Sequence, residues 1–264
     1  MKNWKAALRV AFLIMNLITS TQNQLIKQIK TLKDKEGRSL LSLFIVEGEN
    51  IVKDIPSSVD VKYIFVLDKK VDDFKYILDK YKDNQIYAVS EAVMLSISDT
   101  KTPAGIIAVV SKKESEFKAG QNVVILDGVS DPGNMGTIIR TCVACGVKDI
   151  FAINCVDYTS PKVVRSTMGG IFNVNVIPAT YEELLDKLNG YNLLTLDMNG
   201  EDIFHSTKVQ SPFGLIVGSE AHGVSKILKE NCTTILSLPM VGPIESLNAA
   251  VSLSVALYTL TFNK

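Results

Sequence analysis

The sequence predicts a two-domain α/β protein whose C-terminal half is a parallel, doubly wound sheet. Three observations predict it. From residue 122 onward, short apolar strand-like runs alternate with helical segments, as in a sheet whose strands are joined through helices. Ahead of them lies SKKESEFKAGQN, residues 111–122, polar, charged and without periodicity, which reads as a domain boundary. In the first half, apolar runs and helical patterns alternate again on a smaller scale. With 264 residues, 47% of them hydrophobic, the chain can bury two such cores.

The chain opens with MKNWKAALRVAFLIMNLI, in which Lys2, Lys5 and Arg9 precede an apolar run. It looks superficially like a secretory leader, but it lacks a small-residue cleavage site and the run is too short to span a bilayer. Residues 1–18 therefore read as an added helical extension of a cytoplasmic, membrane-free protein, with Met15 as an alternative start. TSTQNQLIKQIKTLKDKEGR then opens the N-terminal domain, 19–112, with Leu25, Ile29 and Leu32 on one helix face and Lys27, Lys30, Lys33 and Lys35 around the rest. This basic helix is either a contact for a polyanion or a solvated face. LLSLFIVEG, VKYIFVLD, IYAVS and GIIAVVSK read as strands, and DDFKYILDKYKD as a helix between the second and third. Formal net charge is zero, which excludes proteins that coat nucleic acid by bulk charge. The charge is divided, however: residues 1–120 carry 19 Lys+Arg and 15 Asp+Glu, and 121–264 carry 9 and 13. A polyanion meets the N-terminal half first.

After a linker at 113–121, the second domain, 122–264, offers strands at 122–129, 149–155, 173–178, 191–198, 213–219 and 233–239. Helical patterns at 134–145, 160–168, 181–189 and 222–230 separate most of them. Cys142, Cys145, Cys155 and Cys232 have no framework spacing, which suits a reducing compartment. Cys142 and Cys145 form a C-x-x-C, but about two turns inside a helix, where a core reading outweighs a redox or metal one. His205 and His222 are the only histidines and complete no metal set. No metal is expected.

Three strand-to-helix junctions carry isolated polar groups beside glycine. In VVILDGVSDPGNMGTIIRTCVACGV, Arg140 is a single charge among Ile138, Ile139, Val143 and Ala144. The turn before it suggests a dinucleotide fold, but Gly133 and Gly136 do not supply the GxGxxG that admits a pyrophosphate. GLIVGSEAHG places Glu220 at a strand end, a poor neighbour for phosphate. LPMVGPIESLNAAVSLSVALYTLTF leads through Ser246, Leu247 and Asn248 into a helix without a charge. Its apolar residues point all around the axis, so a second buried face is needed beyond the parent sheet.

Taken in order, N-x-G-x-x-x-R (Asn134, Gly136, Arg140), G-S-E-x-x-G (Gly218 to Gly223) and L-P-M…S-L-N (Leu238 to Met240, Ser246 to Asn248) resemble the three motifs of the SpoU/TrmH family of RNA ribose methyltransferases. SPKVVRSTMGGIF, 160–172, with Lys162 and Arg165, resembles that family's RNA-facing segment. R-x-x-x-x-x-F-x-x-E-G (Arg38, Phe44, Glu47, Gly48) and DTKTPAGIIAVV resemble its substrate-binding domain. The resemblance runs from about residue 18 to the end. It implies a C-terminal domain tied into a trefoil knot, S-adenosylmethionine (AdoMet) as cofactor, structured RNA as substrate and a homodimer. It assigns cofactor contacts to Gly218, Leu238 and Leu247, joined by Leu196, Ile216 and Met240. Arg140 is assigned to the reacting hydroxyl, as a base or as a cation that stabilises charge, with Asn134 and Glu220 orienting it and Ser246 and Asn248 shaping the nucleotide pocket. Lys27, Lys30, Lys33 and Arg38 join Lys162 and Arg165 as RNA contacts. His222 either lines that pocket or starts a surface helix. Ribosomal RNA is the expected target; tRNA methylation and a non-catalytic RNA-binding assembly factor are the alternatives.

Overall fold

The four apolar runs of the first half pair into one mixed sheet. The computed structural model describes residues 16–113, 116–205 and 209–262. In it β1 (Leu43–Glu47), β2 (Val61–Leu67), β3 (Ile86–Val89) and β4 (Ile106–Ser111) lie in the order β1-β4-β2-β3, with β4 antiparallel to both neighbours and β2 parallel to β3. The runs are apolar at consecutive positions because both sheet faces are covered. Successive side chains leave a strand in opposite directions, so Phe44, Val46, Ile64, Val66 and Ala108 fill one core while Ile45, Phe65, Ile107 and Val109 fill another.

The helices of this unit are α1 (Gln24–Thr31), α2 (Lys35–Leu41), α3 (Glu49–Val52), α4 (Lys75–Leu78) and α5 (Glu91–Ile97). The basic segment expected as one helix breaks between α1 and α2. α1 buries Ile26 and Ile29 and keeps Leu25 half-exposed, leaving Lys27 in solvent and Lys30 and Lys33 half-buried. Arg38 corrects the sequence reading. It is 5% exposed, and its Nη1 donates to the carbonyls of Leu32 at 2.9 Å and Lys33 at 2.7 Å. It satisfies acceptors that the end of α1 leaves open, so it braces two helices and offers nothing to an RNA. The helix expected over 72–83 shrinks to α4, and α5, capped by Ser90, was not anticipated. Residues 1–15 of the expected extension, with the alternative start at Met15, lie outside the described residues. Ile18 already bonds along β3, its amide donating to Ala88 at 2.9 Å.

The second sheet is wholly parallel. Its elements are β5 (Val123–Asp127), α6 (Pro132–Ala144), β6 (Asp149–Ile153), α7 (Pro161–Ser166), β7 (Asn175–Pro178), α8 (Tyr181–Lys187), β8 (Asn192–Asp202), β9 (Phe213–Gly218), α9 (Lys226–Glu230), β10 (Thr234–Ser237) and α10 (Ala249–Phe262). The strand order is β10-β8-β9-β5-β6-β7. Val123, Ile125, Phe151, Leu193 and Ile216 pack under α8 and α9 through Leu184 and Leu228. α10 packs on α6 and β9, where the hydroxyls of Thr141 and Ser254 lie 2.7 Å apart.

One segment departs from the linear division. Thr159–Phe172, including α7, belongs to the first unit with residues 1–113, and the second unit comprises 114–158 and 173–264. Val164, fully buried, joins the core of Phe44 and Val46, and Phe172 packs against that core. Periodicity identified the helix; it carried no record of which sheet the helix covers.

Candidate active site

Asp127, the last residue of β5, is in register with Gly218, the last of β9, so the loops that follow leave the sheet side by side. Ligands of parallel sheets bind beyond such carboxyl ends. The loop after β9 folds tightly back: the Gly223 amide donates to the Ser219 carbonyl at 2.9 Å, and the His222 amide to Ser219 Oγ at 3.1 Å. A Cβ at Gly218 would lie 2.0 Å from the Gly223 carbonyl carbon, so only glycine fits there. Asp127 fastens the far end of the same turn. Its Oδ2 accepts from the Ser225 amide at 2.7 Å and its Oδ1 from the Tyr181 hydroxyl at 2.9 Å. Asp127 is not among the expected site residues, and its one mark in the sequence is a carboxylate closing the otherwise apolar run VVIL.

The three motifs meet in one hydrogen-bond chain. Asn248 caps α10, its Oδ1 accepting from the amides of Ala250 at 3.0 Å and Val251 at 3.3 Å. Its Nδ2 is thereby turned outward and donates to Asn134 Oδ1 at 3.0 Å. Asn134 sits in the first turn of α6, where Asp131 caps its amide at 2.8 Å, and its own Nδ2 donates to Glu220 Oε1. Each amide has one acceptor and one donor end, so the cap fixes the direction of the whole relay, which terminates on a carboxylate that only accepts.

Arg140 stands apart from this relay. It is exposed on α6 and bonds to neither Asn134 nor Glu220. An arginine six residues along a helix is turned about a third of a circle from the first residue, so the orienting role assigned to Asn134 and Glu220 is not made within one chain. Ser246 is exposed, and Leu238, Met240 and Leu247 are half-buried in the segment 238–247. The amides of that segment make no backbone hydrogen bond among the described residues. Leu196 is half-buried where β8 loses register with β10, between the pairs Thr195–Ile235 and Glu201–Leu236. Ile216 is a correction: it is fully buried in the core with Val123 and Ile125, and has no surface for a cofactor. Next to it in register, the fully buried Thr195 hydroxyl has no hydrogen-bond partner among the described residues.

On the first unit Lys162 is exposed, but Arg165 is held by carboxylates, its Nη2 donating to Asp99 Oδ2 at 2.8 Å. Arg165 is thus a brace and not an open RNA contact, the second basic residue so corrected. Burial pushes the thiols of Cys142 and Cys145 above the usual range, so the C-x-x-C supplies no thiolate at neutral pH. His205 pairs with Asp202 at 2.8 Å, and His222 is exposed in the turn after β9. Among the described residues no group of His, Cys, Asp and Glu could hold a metal, and no helix is long and apolar enough to cross a membrane.

Comparison with known proteins identifies the family of the chain. Residues 121–258 match the family model of the SpoU rRNA methylases, and residues 23–108 match the MRM3-like substrate binding domain. The chain is 31% identical over 250 residues to the 23S rRNA (guanosine(2553)-2′-O)-methyltransferase RlmP of Bacillus subtilis, covering 93% of this chain and 99% of that protein. It is 29% identical to an uncharacterized tRNA/rRNA methyltransferase of Synechocystis, over 91% of this chain and 92% of the relative. The crystal structure of an AdoMet-bound rRNA methyltransferase from Sinorhizobium meliloti superposes with a TM-score of 0.81 at 25% identity, covering 92% of this chain and 96% of that one. With its three motifs joined at the carboxyl edge of the parallel sheet and the family match extending over residues 121–258, the chain belongs to the SpoU rRNA methylase family.

Proposed function

We propose that the chain transfers a methyl group from AdoMet to a ribose 2′-hydroxyl of structured RNA, with large-subunit rRNA as the substrate class and tRNA as the alternative. The relay from Asn248 through Asn134 to Glu220 carries this reading, because it locks three separate loops into one rim at the carboxyl end of the sheet. The residues present suit the cofactor. The amides of 238–247, unpaired among the described residues, and the glycine-only backbone at Gly218 offer polar groups at the ends of β10 and β9, and Leu196, Leu238, Met240 and Leu247 offer half-buried apolar surface. AdoMet, when bound, supplies an electrophilic methyl on a sulfonium. The residues of the chain must align the ribose oxygen with it and deal with the departing proton.

Arg140 is the group for that task. A guanidinium stays protonated in nearly any setting, so it acts by holding a phosphate or stabilising the forming alkoxide. Ser246 and Asn248 border the nucleotide pocket. Lys27, Lys30, Lys33 and Lys162 supply phosphate contacts. The knotted threading of the C-terminal domain goes with the family resemblance, and free cysteines go with a cytoplasmic setting.

A homodimer completes the reading. Val251, Tyr258 and Phe262 are 45%, 48% and 61% exposed and, with half-buried Val255, form a stripe along the outer face of α10. Thr137 and Arg140 lie on the exposed face of α6, the helix against which α10 packs. A second copy on this surface buries the stripe and lets its own site receive Arg140 across the interface, which accounts for an arginine without a partner among the described residues.

The test is incubation of the purified chain with methyl-labelled AdoMet and a large-subunit rRNA transcript, followed by alkaline hydrolysis. A ribose 2′-O-methyl blocks cleavage at one position, so one band should drop out of the ladder. Label in the RNA with a complete ladder would mean methylation of a base. An RNA that binds and never takes up label would favour the assembly-factor reading.

A further inference from the structure

Glu47, 5% exposed, closes β1 in a part of the first unit that the site above does not use. Three consecutive residues are wound around it. Ser98 Oγ donates to Oε1 at 2.5 Å, the Asp99 amide to Oε2 at 3.1 Å and Thr100 Oγ1 to Oε1 at 2.8 Å. Arg165 reaches the same place from α7, with Nη1 3.8 Å from Glu47 Oε2 and Nη2 on Asp99. A carboxylate withdrawn from water is costly unless it is paired and hydrogen-bonded, and here it is both. The result is a braced junction between a loop and a helix.

The junction holds up two cations. Lys101, at the tip of the loop, and Lys162, three residues before Arg165 on α7, are exposed, and neither makes an ion pair with another described residue. Residues three apart on a helix share a face, so Lys162 lies on the side that Arg165 fastens. The charge of Asp99 is taken up by Arg165, and that of Glu47 is buried, so neither is left to repel an anion at the surface. We propose that the Ser98–Thr102 loop and α7 form one RNA-backbone contact, in which Lys101 and Lys162 meet phosphates and Glu47 is the positioning residue that fixes their spacing. The proposal rests on the RNA substrate of the preceding section.

The sign of one substitution separates positioning from bulk charge. Glu47→Gln removes a negative charge from the RNA-facing unit, so electrostatics alone would tighten RNA binding. Positioning demands the opposite, because the neutral carboxamide loses the ion pair with Arg165 and the charge-assisted bonds from Ser98, Asp99 and Thr100, and the loop relaxes. The full chain and its variants are titrated by fluorescence anisotropy against labelled poly(U) and a large-subunit rRNA transcript over a range of salt. Lys101→Ala and Lys162→Ala should each weaken binding to both probes about threefold or more and lower the slope of log K against log salt by about one. Glu47→Gln should weaken binding and lower the slope as well, a change that a smaller folded fraction would not produce. Thr100→Val removes one donor without altering charge, and should weaken binding if Glu47→Gln does not fold. Folded Glu47→Gln or Thr100→Val protein that binds as tightly as the parent overturns the positioning role, and an unchanged slope in both lysine variants overturns the contact. A parent chain that shows these slopes yet methylates no RNA supports this contact and refutes the activity proposed above.

Discussion

At the residue scale, chemistry was legible wherever a polar group interrupted an apolar pattern, and depth was not. Asn134, Glu220 and Asn248 are polar residues beside glycine or at a helix start, and they do meet. Arg38 and Ile216 show the limit: spacing cannot say that Arg38 folds back onto two carbonyls or that Ile216 is sealed in the core. Asn134→Asp keeps the shape and loses the donor, placing a carboxylate against Glu220. A hydrogen bond to a charged group is worth about 1.5–3 kcal/mol, so turnover should fall roughly ten- to hundredfold, measured as single-turnover methyl transfer. Arg140→Lys keeps the charge and loses the planar fork. It should abolish turnover while calorimetry finds AdoMet affinity unchanged; equal losses in both would put Arg140 in the cofactor site. Gly218→Ala should act the other way. Its Cβ would press on Gly223, displacing the turn, and overpacking of about 1–3 kcal/mol should appear as weaker AdoMet binding.

At the element scale, long apolar strands were easy to read and the short helices of the first unit were not. β1, β2, β4, β5 and β9 are continuous runs because both faces of their sheets are covered. α3 and α5 are too short for a 3.6-residue period to show, α4 is shorter than its pattern, and α5 announces itself only through the Ser90 cap. α10 was legible for a different reason: an uncharged helix must be covered on more than one side, and its outer stripe of Val251, Val255, Tyr258 and Phe262 is what the second unit leaves uncovered. Val255→Glu or Tyr258→Asp should therefore yield monomers with no turnover and reduced AdoMet affinity, seen by light scattering and calorimetry. An active monomer of the parent chain at micromolar concentration would end the dimer proposal. On α1, reversing Lys27, Lys30 and Lys33 to glutamate should weaken RNA binding and flatten its salt dependence; unchanged binding would make the helix a solvated face.

At the scale of the whole molecule, the sequence showed two units and hid how the chain is shared between them. A boundary composed of polar residues marks where the chain first leaves the N-terminal unit. Nothing in SPKVVRSTMGGIF marks the return, because a short helix with buried Pro161, Val163 and Val164 suits either sheet. Val164 decides the matter: it is fully buried in the core of Phe44, Val46 and Ile64, the core of the first unit. A fragment beginning at about residue 115 keeps every proposed cofactor residue but exposes Val164 and deprives Arg165 of Glu47 and Asp99. It should bind AdoMet with a modest loss in affinity and should melt at a lower temperature than the full chain. The cause can be isolated with one substitution in two backgrounds. Val164→Ala in the full chain should cost about 2 kcal/mol, the low end for truncating a buried aliphatic side chain. In the fragment, where Val164 has no core to fill, the same substitution should cost almost nothing. Urea denaturation of the four proteins measures both differences, and equal losses in the two backgrounds would return the segment to the methyltransferase unit.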